Sequence, residues 1–239
     1  MDIKRIAVLG SGTMGHGIAQ AAALAGFEVS LYDISPEMLE RAVLTIQKSI
    51  ETHFVQKGKL SAEQGEAVAA RVQTFTVLLS AAKDADFVIE AVPENLELKK
   101  SLFQQLDEIC PNDAIFATNT SVLPVTAMAG VTTRPEQCIG THFFNPAAVM
   151  KLVEVVRPVG VARKTIETTL SLCKALGKTP VLVKDVPGFI VNRLLMHLYM
   201  EAAQIVLEGT ATAEEVDTAM KLGAGHPMGP CELADFGGF

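Results

Sequence analysis

No stretch of this chain is long and apolar enough to suggest a membrane-spanning helix. The most apolar long segment covers residues 189–207, and Asn192, Arg193, His197, Glu201 and Gln204 interrupt it. A span wants about 20 predominantly apolar residues. No secretory leader is read either, because Lys4 and Arg5 precede only the short apolar run 6–9. Basic residues are in deficit, with 20 Lys and Arg against 27 Asp and Glu and a net charge of −7. That balance argues against a nucleic-acid partner, which demands a basic surface. The cysteines are few and scattered, at 110, 138, 173 and 231. They form no CxxC pair and no disulfide framework, so a reducing cytoplasm is the expected setting. His16, His53, His197 and His226 show no metal-ligand spacing with cysteine or acidic residues, and no metal is expected. Internal repeats and low-complexity tracts are absent.

What remains is a globular composition: 239 residues, 49% hydrophobic and 20% charged, enough for one or two domains. Up to about residue 184, strand signals alternate with helix signals. Apolar runs mark strands at 3–9, 28–32, 73–76, 87–91, 114–117, 139–143, 152–156 and 181–183. Helices are expected at 14–25, 95–109 and 163–176. Ser35-Pro36 supplies an N-cap and a first helical position, opening a helix to about Gln56. Ser61-Ala62-Glu63-Gln64 is a capping box that opens another. Residues 36–71 therefore read as a helical hairpin inserted into an α/β pattern. After Asp185-Val186-Pro187-Gly188 the strands stop. The helix 189–207 is apolar on nearly all faces, which predicts burial on several sides. Thr212-Ala213-Glu214-Glu215 opens one more helix, ended by Gly223 and followed by a loop.

Gly10-Ser11-Gly12-Thr13-Met14-Gly15 fits G-x-G-x-x-G between a predicted strand and a predicted helix. In that context Gly10 permits the tight turn, Gly12 lets backbone approach a pyrophosphate, and Gly15 lets helix and strand pack closely. The helix N-terminus offers free N–H groups to phosphate. Asp33 lies 18 residues past Gly15, at the end of the second strand. A carboxylate there accepts from a ribose 2′-hydroxyl and repels a 2′-phosphate, which favours NAD over NADP. The expected fold is α/β, a Rossmann-type doubly wound sheet over residues 1–184 with the inserted hairpin. An all-helical domain follows over 185–239.

A dinucleotide turn names no substrate. Ser121 follows the fifth strand and His142 lies near the end of the sixth, and both project at the carboxyl ends of strands, where open α/β sheets bind ligands. By residue type alone these positions stay ambiguous. A lone strand histidine such as His142 is usually structural, Glu154 between valines usually a solvent-facing strand residue, and Ser121 usually a helix cap. Asn192 stands out as an amide in an apolar helix, where burial requires a partner.

Several motifs in one order carry a resemblance: residues 10–15, Glu90-Ala91-Val92-Pro93-Glu94-Asn95, Asn119-Thr120-Ser121, residues 142–146, 150–155, 187–193 and 219–230. Over its whole length the chain resembles the L-3-hydroxyacyl-CoA dehydrogenase family, including its bacterial 3-hydroxybutyryl-CoA members. The resemblance implies hydride transfer between NAD and C3 of an acyl-CoA thioester, in fatty-acid or butyrate-type metabolism. It implies that His142 is the general base, that Glu154 orients it, and that Ser121 and Asn192 orient the substrate. Glu94, Lys99 and Asn145 match family positions near the nicotinamide half of the cofactor. The hairpin is implied to meet the phosphorylated adenosine end of coenzyme A, with Ser49 and Lys57 as contacts. A homodimer through the C-terminal helical domain is implied too. Relative to the family that domain is expected to be incomplete, with a cofactor-contacting lysine lying past residue 239. Two other functions stay open: a sugar-acid or hydroxy-acid dehydrogenase of the same superfamily, and a non-catalytic NAD-binding or structural relative.

Overall fold

The structure, a computed structural model, describes residues 3–238. It divides into two compact units, up to Pro187 and from Gly188.

The first unit is built on one eight-stranded sheet. Its strands are β1 (Arg5–Leu9), β2 (Glu28–Tyr32), β3 (Val72–Phe75), β4 (Phe87–Glu90), β5 (Ile115–Thr118), β6 (Cys138–Phe143), β7 (Leu152–Arg157) and β8 (Thr179–Lys184), in the spatial order β3-β2-β1-β4-β5-β6-β7-β8. All neighbours pair in parallel except β6 and β7. The central strands β4, β5 and β6 are buried along their whole length. Continuous apolar runs therefore read correctly as interior parallel strands covered on both faces.

Helices cover both faces because successive strand side chains point opposite ways. Ile6 and Val8 face a core made with α1 (Thr13–Leu24), α2 (Pro36–Ile50), α3 (Ala62–Ala70) and a C-terminal helix of this unit over Arg163–Ala175. Ala7 and Leu9 face a second core made with α4 (Leu78–Ala82), α5 (Leu96–Ile109) and α6 (Val125–Ala129); the Arg163–Ala175 helix is α7. From β1 the chain winds outward through β2 and β3, then returns to β4 and winds the other way. The reversal leaves a crevice at the carboxyl ends of β1 and β4, where doubly wound sheets bind ligands.

The hairpin forms as expected. Ser35 Oγ accepts from the Met38 amide with Pro36 at the first helical position, and the Ser61–Gln64 capping box is present. Beyond Ile50 the first helix runs on through a π-helical turn, Glu51–Val55. Two five-residue helices, α4 and α6, were not expected, since one turn carries no readable period.

The second unit is helical: α8 (Val191–Leu207), α9 (Ala213–Gly223) and α10 (Pro230–Gly237). Thr212 and Glu215 close the predicted capping box. The segment after Gly223, expected to be a loop, contains α10. Its start is capped from α9, where the Asp217 carboxylate accepts from the amides of Cys231 and Glu232 at 2.8 and 3.0 Å. The cap comes from another helix, and the local signal was Pro230 at the first helical position. The expectation that residues 189–207 are buried on several sides is overturned. Only Ala202 of α8 is buried, while Leu194, Met200 and Leu207 are 66%, 60% and 81% exposed. Among the described residues of this unit, α9 and α10 alone are available to pack on α8, and two short helices cover one side of it.

Candidate active site

The strand ends at the carboxyl edge of the sheet bring most of the predicted residues of the first unit into one row. Asp33 follows β2, the glycine turn follows β1, Glu90 ends β4, Asn119-Thr120-Ser121 follow β5, and His142 lies one residue from the end of β6. Asn145 sits just past β6 and is exposed.

The glycine turn has the shape its spacing requires. Gly10 has φ +96°, and a Cβ there would lie 2.6 Å from the Ala91 carbonyl oxygen. A Cβ on Gly15 would run into the Gly10 carbonyl, whereas one on Gly12 would meet no protein atom within 4 Å. Helix α1 starts immediately after Gly12, with no side-chain cap and no acidic residue in its first turn. Thr13 is exposed and Met14 half-buried in that turn. Open space against uncapped N–H groups of a helix terminus is what a pyrophosphate needs, so residues 10–15 fit a dinucleotide. Asp33 is already engaged: Oδ2 accepts from Ser11 N and Ser11 Oγ, both at 2.8 Å, and Oδ1 accepts from Ser35 N at 3.1 Å. An ionised carboxylate offers about four acceptor positions, so Asp33 keeps capacity for a ribose hydroxyl.

His142 and Glu154 stand directly opposite each other on β6 and β7. His142 Nδ1 lies 2.8 Å from Glu154 Oε2, and the two residues are 4% and 1% exposed. The twelve-residue separation works because the chain reverses between them; Lys178 holds that reversal, donating to the carbonyls of Ala147 and Met150 at 2.6 and 2.8 Å. The Phe144 ring packs on the imidazole, centroids 4.5 Å apart. With Nδ1 committed to the carboxylate, the ring presents Nε2 as its other nitrogen. The Asn119 carboxamide accepts from Phe143 N at 2.9 Å, tying the end of β5 to the strand that carries His142.

Between the glycine turn and His142 lies a charged network. Glu90 Oε1 accepts from Lys99 Nζ and Val92 N, both at 2.7 Å, and Oε2 accepts from Thr118 Oγ1 at 2.6 Å. Lys99, 1% exposed, also reaches the Val92 carbonyl at 3.1 Å and Glu94 Oε2 at 3.2 Å. Glu94 Oε1 in turn accepts from the Thr120 hydroxyl and from Ser121 N. Burial raises the Glu94 carboxyl, but the Thr120 hydroxyl, the Lys99 charge and the Ser121 amide outweigh it and hold the group below the ordinary carboxylate range. For Glu90 burial wins and pushes the carboxyl up, against the pull of Lys99, Thr118 and the Val92 amide. Lys99 thus meets three acceptors with three protons and acts on the rim through Glu94. Ser121 is half-buried, and its hydroxyl makes no hydrogen bond among the described residues. It caps no helix, since α6 starts after Pro124.

Asn192 belongs to the second unit, at the second position of α8, and is half-buried. On the hairpin, Ser49 Oγ accepts from Gln20 Nε2 at 2.9 Å, and Lys57 is exposed. Glu90, Thr118, Asn119, Thr120 and Phe144 were given no role from the sequence. A glutamate closing an apolar strand was the legible signal among them. No group of three His, Cys, Asp or Glu among the described residues could hold a metal. No described helix is long and apolar enough to cross a membrane.

Comparison with known proteins settles the family. Residues 5–186 match the 3-hydroxyacyl-CoA dehydrogenase NAD-binding domain, and residues 188–239 match the 3-hydroxyacyl-CoA dehydrogenase C-terminal domain. The chain belongs to the 3-hydroxyacyl-CoA dehydrogenase family. It is an enzyme of that kind, and NAD is its cofactor. It is 46% identical over 236 residues to a probable 3-hydroxybutyryl-CoA dehydrogenase of Bacillus subtilis, covering 99% of this chain and 82% of that protein. It is 45% identical to the human mitochondrial hydroxyacyl-coenzyme A dehydrogenase, covering 99% of this chain and 76% of the relative. The crystal structure of an Escherichia coli 3-hydroxybutyryl-CoA dehydrogenase superposes with a TM-score of 0.95 at 46% identity; the match covers 99% of this chain but only 50% of that one. The (S)-3-hydroxybutyryl-CoA dehydrogenase of Ralstonia eutropha gives 0.94 at 41% identity, over 98% and 82% of the two chains.

Proposed function

We propose that the protein oxidises an L-3-hydroxyacyl-CoA thioester at C3 to the 3-ketoacyl-CoA, reversibly, with His142 as general base. The observation that carries this is the buried His142–Glu154 pair at the same sheet edge as the glycine turn. Bound NAD supplies the hydride acceptor at its nicotinamide ring. Residues 10–15 would hold its pyrophosphate and Asp33 its adenosine ribose, with Glu94 and Asn145 towards the nicotinamide half and Lys99 acting there through Glu94. Glu154 accepts from Nδ1–H, so Nε2 bears the lone pair that takes the proton from the substrate hydroxyl. As the imidazolium forms, the adjacent carboxylate stabilises it. In the reverse direction Nε2–H returns the proton to the developing alkoxide. The uncommitted hydroxyl of Ser121 is suited to orient the substrate oxygen, and Asn192 keeps the orienting role that the family resemblance implies. Ser49 and Lys57 serve the phosphorylated end of coenzyme A, where a lysine acts as a point charge on phosphate.

The reading extends to a cytoplasmic homodimer formed through the helical domain. The exposed Leu194, Met200 and Leu207 of α8 offer the apolar surface for a second copy. The decisive assay measures NADH oxidation with acetoacetyl-CoA and, separately, with free acetoacetate. Turnover of the thioester is expected; turnover of the free acid alone would overturn the CoA assignment.

A further inference from the structure

Between the glycine turn and His142 the sheet edge holds more charge than hydride transfer needs. Glu90 ends β4 and is fully buried, and Lys99 and Glu94 complete a triad with it. Every polar partner of the Glu90 carboxylate is a donor: an ammonium, an amide and a hydroxyl. The same is true of Glu94. Both carboxylates therefore meet only donors, the arrangement an anion needs, and at Glu90 these donors oppose the upward push of burial. Among the described residues, Lys99 is the only cation within ion-pair distance of either. Two carboxylates and one ammonium leave one net negative charge.

The order of strands places that charge. Asp33 at the end of β2 marks the adenosine side, and the turn after β1 marks the pyrophosphate. His142 on β6 marks the reacting carbon. A dinucleotide running from β2 towards β6 would bring its nicotinamide to the ends of β4 and β5, where the triad sits. Oxidised nicotinamide is a cation, and the reduced ring is neutral.

We propose that Glu90, acting through Lys99 and together with Glu94, biases this site towards the oxidised form of NAD. Glu90 is a positioning residue: it touches Lys99, Thr118 and Val92, and its charge reaches the cofactor through a low-dielectric wall. The inference rests on the proposed function.

The test compares dissociation constants for NAD⁺ and NADH, by calorimetry and by NADH fluorescence, in the wild type and three variants. Glu90→Gln removes the charge and preserves shape. The ratio Kd(NAD⁺)/Kd(NADH) is expected to rise about five-fold or more, equivalent to about 1 kcal/mol. Glu94→Gln, on the exposed rim, is expected to shift the ratio the same way and does not depend on the buried pair tolerating substitution. Thr118→Val removes a donor but no charge, and should leave the ratio within about two-fold. Weaker binding of both forms at a constant ratio in Glu90→Gln and Glu94→Gln would assign the triad a purely structural role and overturn the proposal. A wild type that binds neither form would instead overturn the function on which it rests.

Discussion

Replacing Glu154 by glutamine isolates what its charge does for His142. Glutamine keeps the volume and still offers a carbonyl oxygen to Nδ1–H, so the 2.8 Å contact and the ring orientation survive. The negative charge beside the nascent imidazolium is lost. With an effective dielectric of about 20 and charge centres about 4 Å apart, the full interaction is about 4 kcal/mol. Both side chains are almost wholly inaccessible to water, so solvent does little to replace it. Proton transfer is partial at the transition state. About half the interaction is then felt, corresponding to a loss in kcat of about 30-fold, with about 1000-fold as the limit for complete transfer. In the oxidation direction His142 takes up the proton only as the reaction proceeds, so KM for L-3-hydroxybutyryl-CoA and NADH affinity should stay within about three-fold. Steady-state oxidation of L-3-hydroxybutyryl-CoA by NAD⁺, paired with NADH fluorescence titration, reads both quantities. A kcat within about three-fold of wild type would refute the reasoning. So would a fall in NADH affinity equal to the fall in kcat, which would make the pair a structural support.

His142→Ala is expected to lower kcat by about 10²–10⁴-fold, the range for a lost general base, with NAD binding nearly intact; an equal loss of binding would make the histidine structural. Asp33→Ala should relax discrimination against NADP by about ten-fold or more, because the carboxylate that repels a 2′-phosphate is gone; an unchanged NADP/NAD ratio of kcat/KM would remove that role. Burial pushes the thiols of Cys110, Cys138 and Cys173 up to about 12, so native protein at neutral pH should show Cys231 as its first-reacting thiol in mass-resolved alkylation, and rapid labelling of a buried cysteine would contradict the core packing. Burial raises the Asp107 carboxyl, but Thr133 and Arg134 outweigh it and hold the group below the usual aspartate range. Its stabilisation is thus present above the ordinary aspartate value and lost as pH falls through its lower folded value; Asp107→Asn should cost about 2 kcal/mol at neutral pH, with the gap to wild type closing in acid unfolding curves.

Much of this molecule was legible because its signals are local. The apolar runs of β1 (residues 6–9) and β4 (residues 87–89) are continuous because both faces of those strands are covered, and that shows in three or four consecutive residues. Ser35, Ser61 and Thr212 announce their helices because a capping side chain bonds an amide two or three residues away. The residues of the glycine turn are adjacent in sequence, and the α1 terminus they expose follows at once. His142 and Glu154 were named from a resemblance rather than from spacing, since nothing in the eleven intervening residues states the antiparallel register that sets one against the other.

Long-range placement decided the rest. Lys99 looks like any helix lysine until α5 packs on the sheet and turns it towards Glu90. Thr118, 28 residues from Glu90 in the chain, becomes its partner because β4 and β5 are neighbours. The α8 helix shows the converse: its apolar composition predicts burial, but burial depends on how many other elements cover it. Composition, period and caps determined the strands and the longer helices, while α4, α6 and α10 were missed. Which charges meet, and which apolar faces find cover, was decided by packing between segments far apart in the chain, where the interaction energy depends on distances in space that no local pattern encodes.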